Sequence, residues 1–261
     1  MSARTDTPKI DASYKDLYII GGLAALIAGL IFRRNLGVAE IGHLVYGQAP
    51  PDTVIGWYSL LQSDRFLGLA MLNVFDFVDY ALMVFMFLAL YVVLKRENNG
   101  YALIAAVLGL VGVTVYFASN TALSLISLSD QYAAATTDAQ RSALLAAGQA
   151  VLATSDPGTF SPGSGIYISF LLIAAAGLVF SIIMLQSTVF GRATAYVGLL
   201  ASLCDLACCV TIFVVPVSAV FFVAMAGLLL MIWHILIGLR LLKLGRGVMP
   251  EKIKEKVPAV V

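Results

Sequence analysis

Asp76 and Asp79 stand one helical turn apart inside "LNVFDFVDYALM", residues 72–83, with no other charged side chain from Phe66 to Leu94. An ionised carboxylate in hydrocarbon costs on the order of several kcal/mol unless it is paired, hydrated or protonated. Two acids at this spacing could bind a cation or carry a proton, since burial and mutual repulsion both oppose double ionisation. Read as one helix, the segment puts Asn73, Asp76 and Tyr80 on a stripe at i, i+3 and i+7, with Asp79 at its edge. Arg65 precedes Asp76 by almost three turns and falls on the same face, where it could act as gate or counter-ion.

Three further polar groupings interrupt apolar segments. Asn120, Thr121, Ser124 and Ser127 form one, expected to face the Asp76 stripe. Ser202, Asp205, Cys208 and Cys209 form another, and His234 follows Trp233 in the last apolar run. The candidate binding set is therefore Asp76, Asp79, Asn73, Tyr80, Asn120, Asp205 and Arg65. The structural alternative for each is a hydrogen bond that holds a helix bundle together. A histidine such as His234 is more often a packed side chain than a ligand, and Cys204, Cys208 and Cys209 read as small packing residues in one apolar segment. Carboxylates alone could offer oxygen to a hard cation, but their spacing specifies no metal site.

The elements that must carry these residues are membrane helices. Of 261 residues, 61% are hydrophobic and 12% are charged, with a mean hydropathy of +0.95. Soluble domains carry about 25% charged residues. Windows of about 20 apolar residues mark spanning helices, and six emerge, near 17–32, 66–94, 101–126, 166–186, 193–215 and 217–242. The expected fold is an all-α, polytopic bundle over residues 1–246, followed by a basic cytoplasmic tail, 247–261. The fourth span carries few polar residues and is expected to face lipid. Gly21, Ala25 and Gly29 make a small-residue face that suits close packing of the first span on a neighbour.

Lysine and arginine set the orientation. With the N-terminus inside, twelve of the sixteen fall on the cytoplasmic side, leaving Arg33, Arg34, Arg65 and Arg141 outside. The positive-inside rule then places both termini in the cytoplasm of an inner-membrane protein, with loops 33–65 and 127–165 outside. In the second loop, Thr137 and Gln140 form a capping box that starts an amphipathic helix. Leu144, Ala147 and Val151 share one of its faces, beside Leu145, Gly148 and Leu152.

The net charge of +1 offers no basic field for nucleic acid, and no nucleic-acid-binding pattern appears. Motifs of zinc peptidases, serine hydrolases, nucleotide-binding loops and haem attachment are absent, and no cofactor is indicated. With two histidines, His43 and His234, a histidine-rich metal centre cannot be assembled. The reading that follows is a membrane protein with an outward-facing polar cavity that binds or moves a small solute, cation or proton. Its rivals are an accessory membrane subunit, with protein partners or self-association, and an intramembrane enzyme acting on lipid.

The stretches "LSLSDQYAAATTDAQRSALLAAGQAVLA", "IIMLQSTVFGRATAYVGLLAS" and "IWHILIGLRLLKLG" resemble an uncharacterised prokaryotic membrane family, catalogued as domain of unknown function 4386. Ser129, Gln131, Tyr132 and the segment from Phe190 to Gly198 carry most of the likeness, which runs from the second span onward. The resemblance implies a multi-span helical bundle, and implies no activity or catalytic residue.

Overall fold

A computed structural model of the chain describes residues 12–38, 50–154 and 163–247. Those residues form helices and connections, with no strand among them. A 3-10 turn, Ala12–Tyr14, leads into α1, Lys15–Val38. Four helices follow: α2, Val54–Ser63; α3, Arg65–Met71; α4, Phe75–Leu94; and α5, Asn99–Ser119. The remainder are α6, Ala122–Ala134; α7, Asp138–Thr154; α8, Ser164–Gln186; α9, Arg192–Val214; and α10, Pro216–Gly245.

Local chemistry accounts for the ends. Thr53, Asp64 and Asn98 each accept a hydrogen bond on the side chain from a backbone N–H of the helix they start, at 3.2, 2.9 and 3.1 Å. Thr137 Oγ1 accepts from the Gln140 N–H at 3.2 Å while Gln140 Oε1 accepts from the Thr137 N–H at 3.4 Å, so α7 opens with the expected capping box. Pro216 opens α10, where its missing N–H has no helical partner to lose. That lets α9 and α10 adjoin with only Val215 between them.

Among the described residues, five helical stretches are long and apolar enough to cross a membrane: Phe75–Leu94, Asn99–Ala134, Ser164–Gln186, Arg192–Val214 and Phe221–Gly245. The chain is thus an all-helical membrane protein. The second of these stretches has 36 residues, about 54 Å of continuous helix against a hydrocarbon core of about 30 Å. It breaks at Asn120, which is extended, so that α5 alone has membrane length.

Breaks also correct the expected second span. Residues 66–94 are not one helix: α3 stops at Met71, Asn73 takes a left-handed conformation (φ 55°), and α4 begins at Phe75. Asparagine tolerates that region better than other non-glycine residues. The turn closes with the Asn73 N–H donating to Ala70 O and the Asp76 N–H to Asn73 O.

The two breaks divide the molecule into a bundle and a cap. In the bundle, α1 packs between α4 and α10, α5 packs on α8 and α4, and α9 on α8 and α10. The small-residue face of α1 meets two neighbours: a Cβ on Gly21 would stand 2.5 Å from Ala89 Cβ of α4, and one on Gly29 3.2 Å from Met231 O of α10. Tyr80, Phe87, Phe180, Trp233 and Ile237 belong to its core. The cap is built from α2, α3, α6 and α7, whose main packing is on one another. It has its own core of Trp57, Tyr58, Leu61, Leu72, Leu125 and Leu152. Gly148 and Leu152 are buried and Leu144, Leu145 and Val151 half-buried, so the expected apolar face of α7 is turned inward except at Ala147, which is exposed.

Span α8 differs from expectation. It lies between α5 and α9 and buries Ser169, Phe180, Ser181 and Met184, whereas α9 buries a smaller share of its length. The buried serines of α8 differ: the Ser169 hydroxyl donates to Gly112 O at 2.8 Å, while Ser181 Oγ is buried without a hydrogen-bond partner.

Candidate functional site

Asp76 lies in the first turn of α4, immediately after the break, and Asp79 lies one turn further into the bundle. The Tyr116 hydroxyl on α5 donates to Asp76 Oδ2 at 3.3 Å. Asn120 Nδ2 donates to the Tyr116 oxygen at 3.0 Å, and Asn120 Oδ1 accepts the Ala122 N–H at 2.9 Å. These bonds run in one direction. The backbone N–H at the start of α6 fixes the Asn120 amide, the amide spends its N–H on Tyr116, and Tyr116 is left with its own proton for Asp76. Tyr80 stacks on Tyr116, with ring centroids 3.7 Å apart.

Asp79 is treated differently. It is 2% exposed, and its Oδ1 is buried with no hydrogen-bond partner. Asp205 lies half-buried on α9. No three His, Cys, Asp or Glu side chains among the described residues stand close enough to hold a metal ion together.

Compared with known protein families, residues 17–245 match the model described as "Domain of unknown function (DUF4386)". The chain belongs to the DUF4386 family. No curated protein and no solved structure matches it.

In this DUF4386 chain the sequence-derived set is only partly gathered. Asp76, Tyr80 and Asn120 meet at Tyr116, with Asp79 one turn beyond Asp76 on α4, while Asp205 is half-buried on α9. Asn73 does not share their helix face; it forms the turn before α4. Arg65 is in the cap, where its guanidinium makes a two-pronged ion pair with Asp130 at 2.6 and 2.9 Å. The helix break removes the register that put it on the Asp76 face. Ser124 and Ser127 are exposed on α6, and Ser127 accepts a hydrogen bond from Gln131. His234 is fully buried, with Nδ1 donating to Leu230 O at 2.7 Å, as in a packing role. All three cysteines are free thiols.

Tyr116 is the residue missed from sequence. Four positions before Asn120, it lies on the same helix face, and that spacing was the available signal. The cap carries a second unforeseen polar cluster. Gln62 Nε2 donates to Ser129 Oγ at 3.1 Å, and the Tyr58 hydroxyl donates to Leu144 O at 2.9 Å. Burial, with a smaller contribution from Tyr132, pushes the Tyr58 hydroxyl above its ordinary value of 10.0. One cavity of about 200 Å³ opens where cap and bundle meet, lined by Ser119, Thr121, Thr154, Gly163, Ser164, Gly165 and Ile166.

Proposed function

We propose that this DUF4386 protein crosses the cytoplasmic membrane six times and uses Asp79 as a proton-carrying site. In this reading α1 is the sixth span. The end of the bundle bearing Lys15, Lys95, Arg96, Arg192, Arg240, Lys243 and Arg246 is cytoplasmic, and the cap is outside. The proton on Asp79 would be linked to binding or movement of a small solute entering from the cap side.

One observation carries the reading: the unpartnered, buried Oδ1 of Asp79, one turn from an Asp76 that already has a donor. An anion with that oxygen unpartnered would cost several kcal/mol, of the same order as the about 4 kcal/mol needed to protonate an ordinary aspartate at pH 7, so burial without a donor favours the neutral acid. The directed bonds from Ala122 to Tyr116 support placing the negative charge on Asp76 and the proton on Asp79. A metal cation is less well supported, because no three ligating side chains converge among the described residues.

Dicyclohexylcarbodiimide, an apolar reagent that attacks protonated carboxyls in membranes, tests this on the full-length protein. It should form an adduct at Asp79 at pH 7, read by peptide mass spectrometry, and Asp79→Asn should abolish it. An infrared carboxyl band should vanish in the same variant. If neither signal appears, Asp79 is ionised and the proton assignment is wrong. For the topology, Ser142→Cys in α7 should react with an impermeant thiol reagent in intact cells while Asn99→Cys does not. The reverse pattern would overturn the orientation.

A further inference from the structure

We infer that Asp79 exchanges its proton with the solution on the cap side only, because the apolar face of α4 from Met83 to Leu94 seals it from the other side. The inference rests on the proton-carrying reading of the same site and adds which side supplies the proton.

The asymmetry begins on α4 itself. Towards the cap, Asp76 stands one turn from Asp79, about 4.5 Å along the helix, and is half-buried at the end of the bundle that the cap adjoins. In the other direction Met83, Met86, Leu90, Val93 and Leu94 follow Asp79 at i+4, i+7, i+11, i+14 and i+15, which is one helix face. Each of them is at most 8% exposed. From Asp79 to Leu94 that face runs about 22 Å and offers no polar side chain.

The neighbours of α4 close the same face. The six long helices pack as a ring, in the order α1, α4, α5, α8, α9, α10 and back to α1. Met83, Met86, Leu90, Val93 and Leu94 belong to one apolar core with Ala25 of α1, Phe180 of α8 and Ile237 of α10. Beside them Phe87 stacks on Phe180, with ring centroids 5.9 Å apart. A Cβ on Gly109 would stand 2.6 Å from Phe87 Cδ2, so the Phe87 ring lies flush against the backbone of α5. Close-packed apolar side chains give water no partners, so this plug holds no path for a proton.

Buried polar groups of the other helices are turned elsewhere. Ser181 Oγ and Trp233 Nε1 each lie 2.2 Å from the point that a Cβ on Gly198 would occupy, so both face α9. The ionisable side chains closest to Asp79 along the chain are Asp76 and Tyr80, and α5 adds Tyr116. Between Tyr18 and Arg33 α1 has none, and α8 has none beyond Tyr167. Asp205, the three cysteines and His234 lie on α9 and α10, which α4 does not adjoin in the ring.

The test compares the two sides. Right-side-out and inverted membrane vesicles carry the full-length protein, and labelling of Ser142→Cys identifies the face on which the cap lies. Dicyclohexylcarbodiimide enters the bilayer from either side, so adduct formation at Asp79 reads whether that carboxyl holds a proton. Raising the cap-side pH from 7 to 10, with the other side buffered at pH 7, should slow labelling at least about tenfold, the loss of protonated acid over one pH unit above its midpoint. The reverse gradient should leave the rate unchanged. Met86→Ser combined with Leu90→Ser puts room and hydroxyls for water into the plug, and should make labelling answer to both sides. Wild-type labelling that follows the far side, both sides alike or neither would overturn the one-sided assignment. A folded double variant that keeps the wild-type sidedness would overturn the role of the plug, and if that variant does not fold, the wild-type comparison decides alone. Absence of any adduct at Asp79 under every gradient would instead overturn the proton reading itself.

Discussion

Replacing Tyr116 by Phe removes one oxygen and keeps the ring. The stack on Tyr80 at 3.7 Å and the edge contact with Phe77 at 6.0 Å remain available. Two hydrogen bonds go: the one to Asp76 Oδ2 and the one received from Asn120. A typical hydrogen bond is worth about 0.5–1.5 kcal/mol net, and the bond to Asp76, at 3.3 Å, is too long for the larger value of a charge-assisted one. Asn120 is only half-buried, so water can recover part of its loss. The expected destabilisation is therefore about 1–2 kcal/mol, read from reversible unfolding in mixed detergent micelles. Tyr116→Ala should lose more, about 3–5 kcal/mol, because the ring leaves a cavity. The double variant with Asp76→Asn isolates the contact, and groups that touch couple by about 0.5–3 kcal/mol. A loss below about 0.5 kcal/mol for Tyr116→Phe, the range of surface substitutions, together with additive behaviour in the cycle, would refute the claim that Tyr116 holds Asp76.

Gly21→Val drives a side chain into Ala89 Cβ, 2.5 Å from the added Cβ, and should cost about 1–3 kcal/mol in the same assay; neutrality would mean that α1 does not pack on α4. Arg65→Ala removes an ion pair whose partners are 49% and 48% exposed, so the loss should be about 0–1 kcal/mol and shrink in high salt. Tyr58→Phe should cost about 1 kcal/mol through the lost bond to Leu144 O. Because folding raises the Tyr58 hydroxyl above 10.0, the folded state holds that proton more tightly, and stability should fall as pH rises past about 10. The phenylalanine variant should titrate with a shallower fall. Asn73→Val puts a β-branched residue at φ 55°, which should cost about 1–3 kcal/mol; an unchanged midpoint would argue against the turn.

The apolar windows located the cores of α4, α5, α8, α9 and α10 because twenty-odd hydrophobic residues admit little else in a bilayer. The start of α7 was legible because a capping box is a local device. Neither break was. Residues 72–74 contain no Gly or Pro, and hydropathy does not respond to a change of φ at one asparagine. The break goes with tertiary packing: Leu72, the last residue before the turn, belongs to the cap core with Leu125 and Leu152. The break at 72–74 takes Arg65 off the Asp76 face, and the break at Asn120 takes Ser124 and Ser127 out of the span that carries Tyr116. Tyr116 was passed over because an aromatic in an apolar run reads as packing, although its ring packs while its hydroxyl bonds.

The break also explains how the chain can carry two acids there at all. In one uninterrupted helix, positions 76 and 79 would sit mid-span in like surroundings, and neither would meet a free helix end. With α4 starting at Phe75, Asp76 occupies the first turn, where the aligned peptide dipoles favour a negative charge by about 0.3–1 kcal/mol, and up to about 2 when partly buried. Tyr116 adds its donor at the same place. That field falls off beyond the first turn, and Asp79, the fifth residue of α4, receives little of it and no partner for Oδ1. Two residues of identical chemistry are therefore given different surroundings by one turn of helix: a helix start and the Tyr116 hydroxyl for Asp76, and a buried Oδ1 with no partner for Asp79.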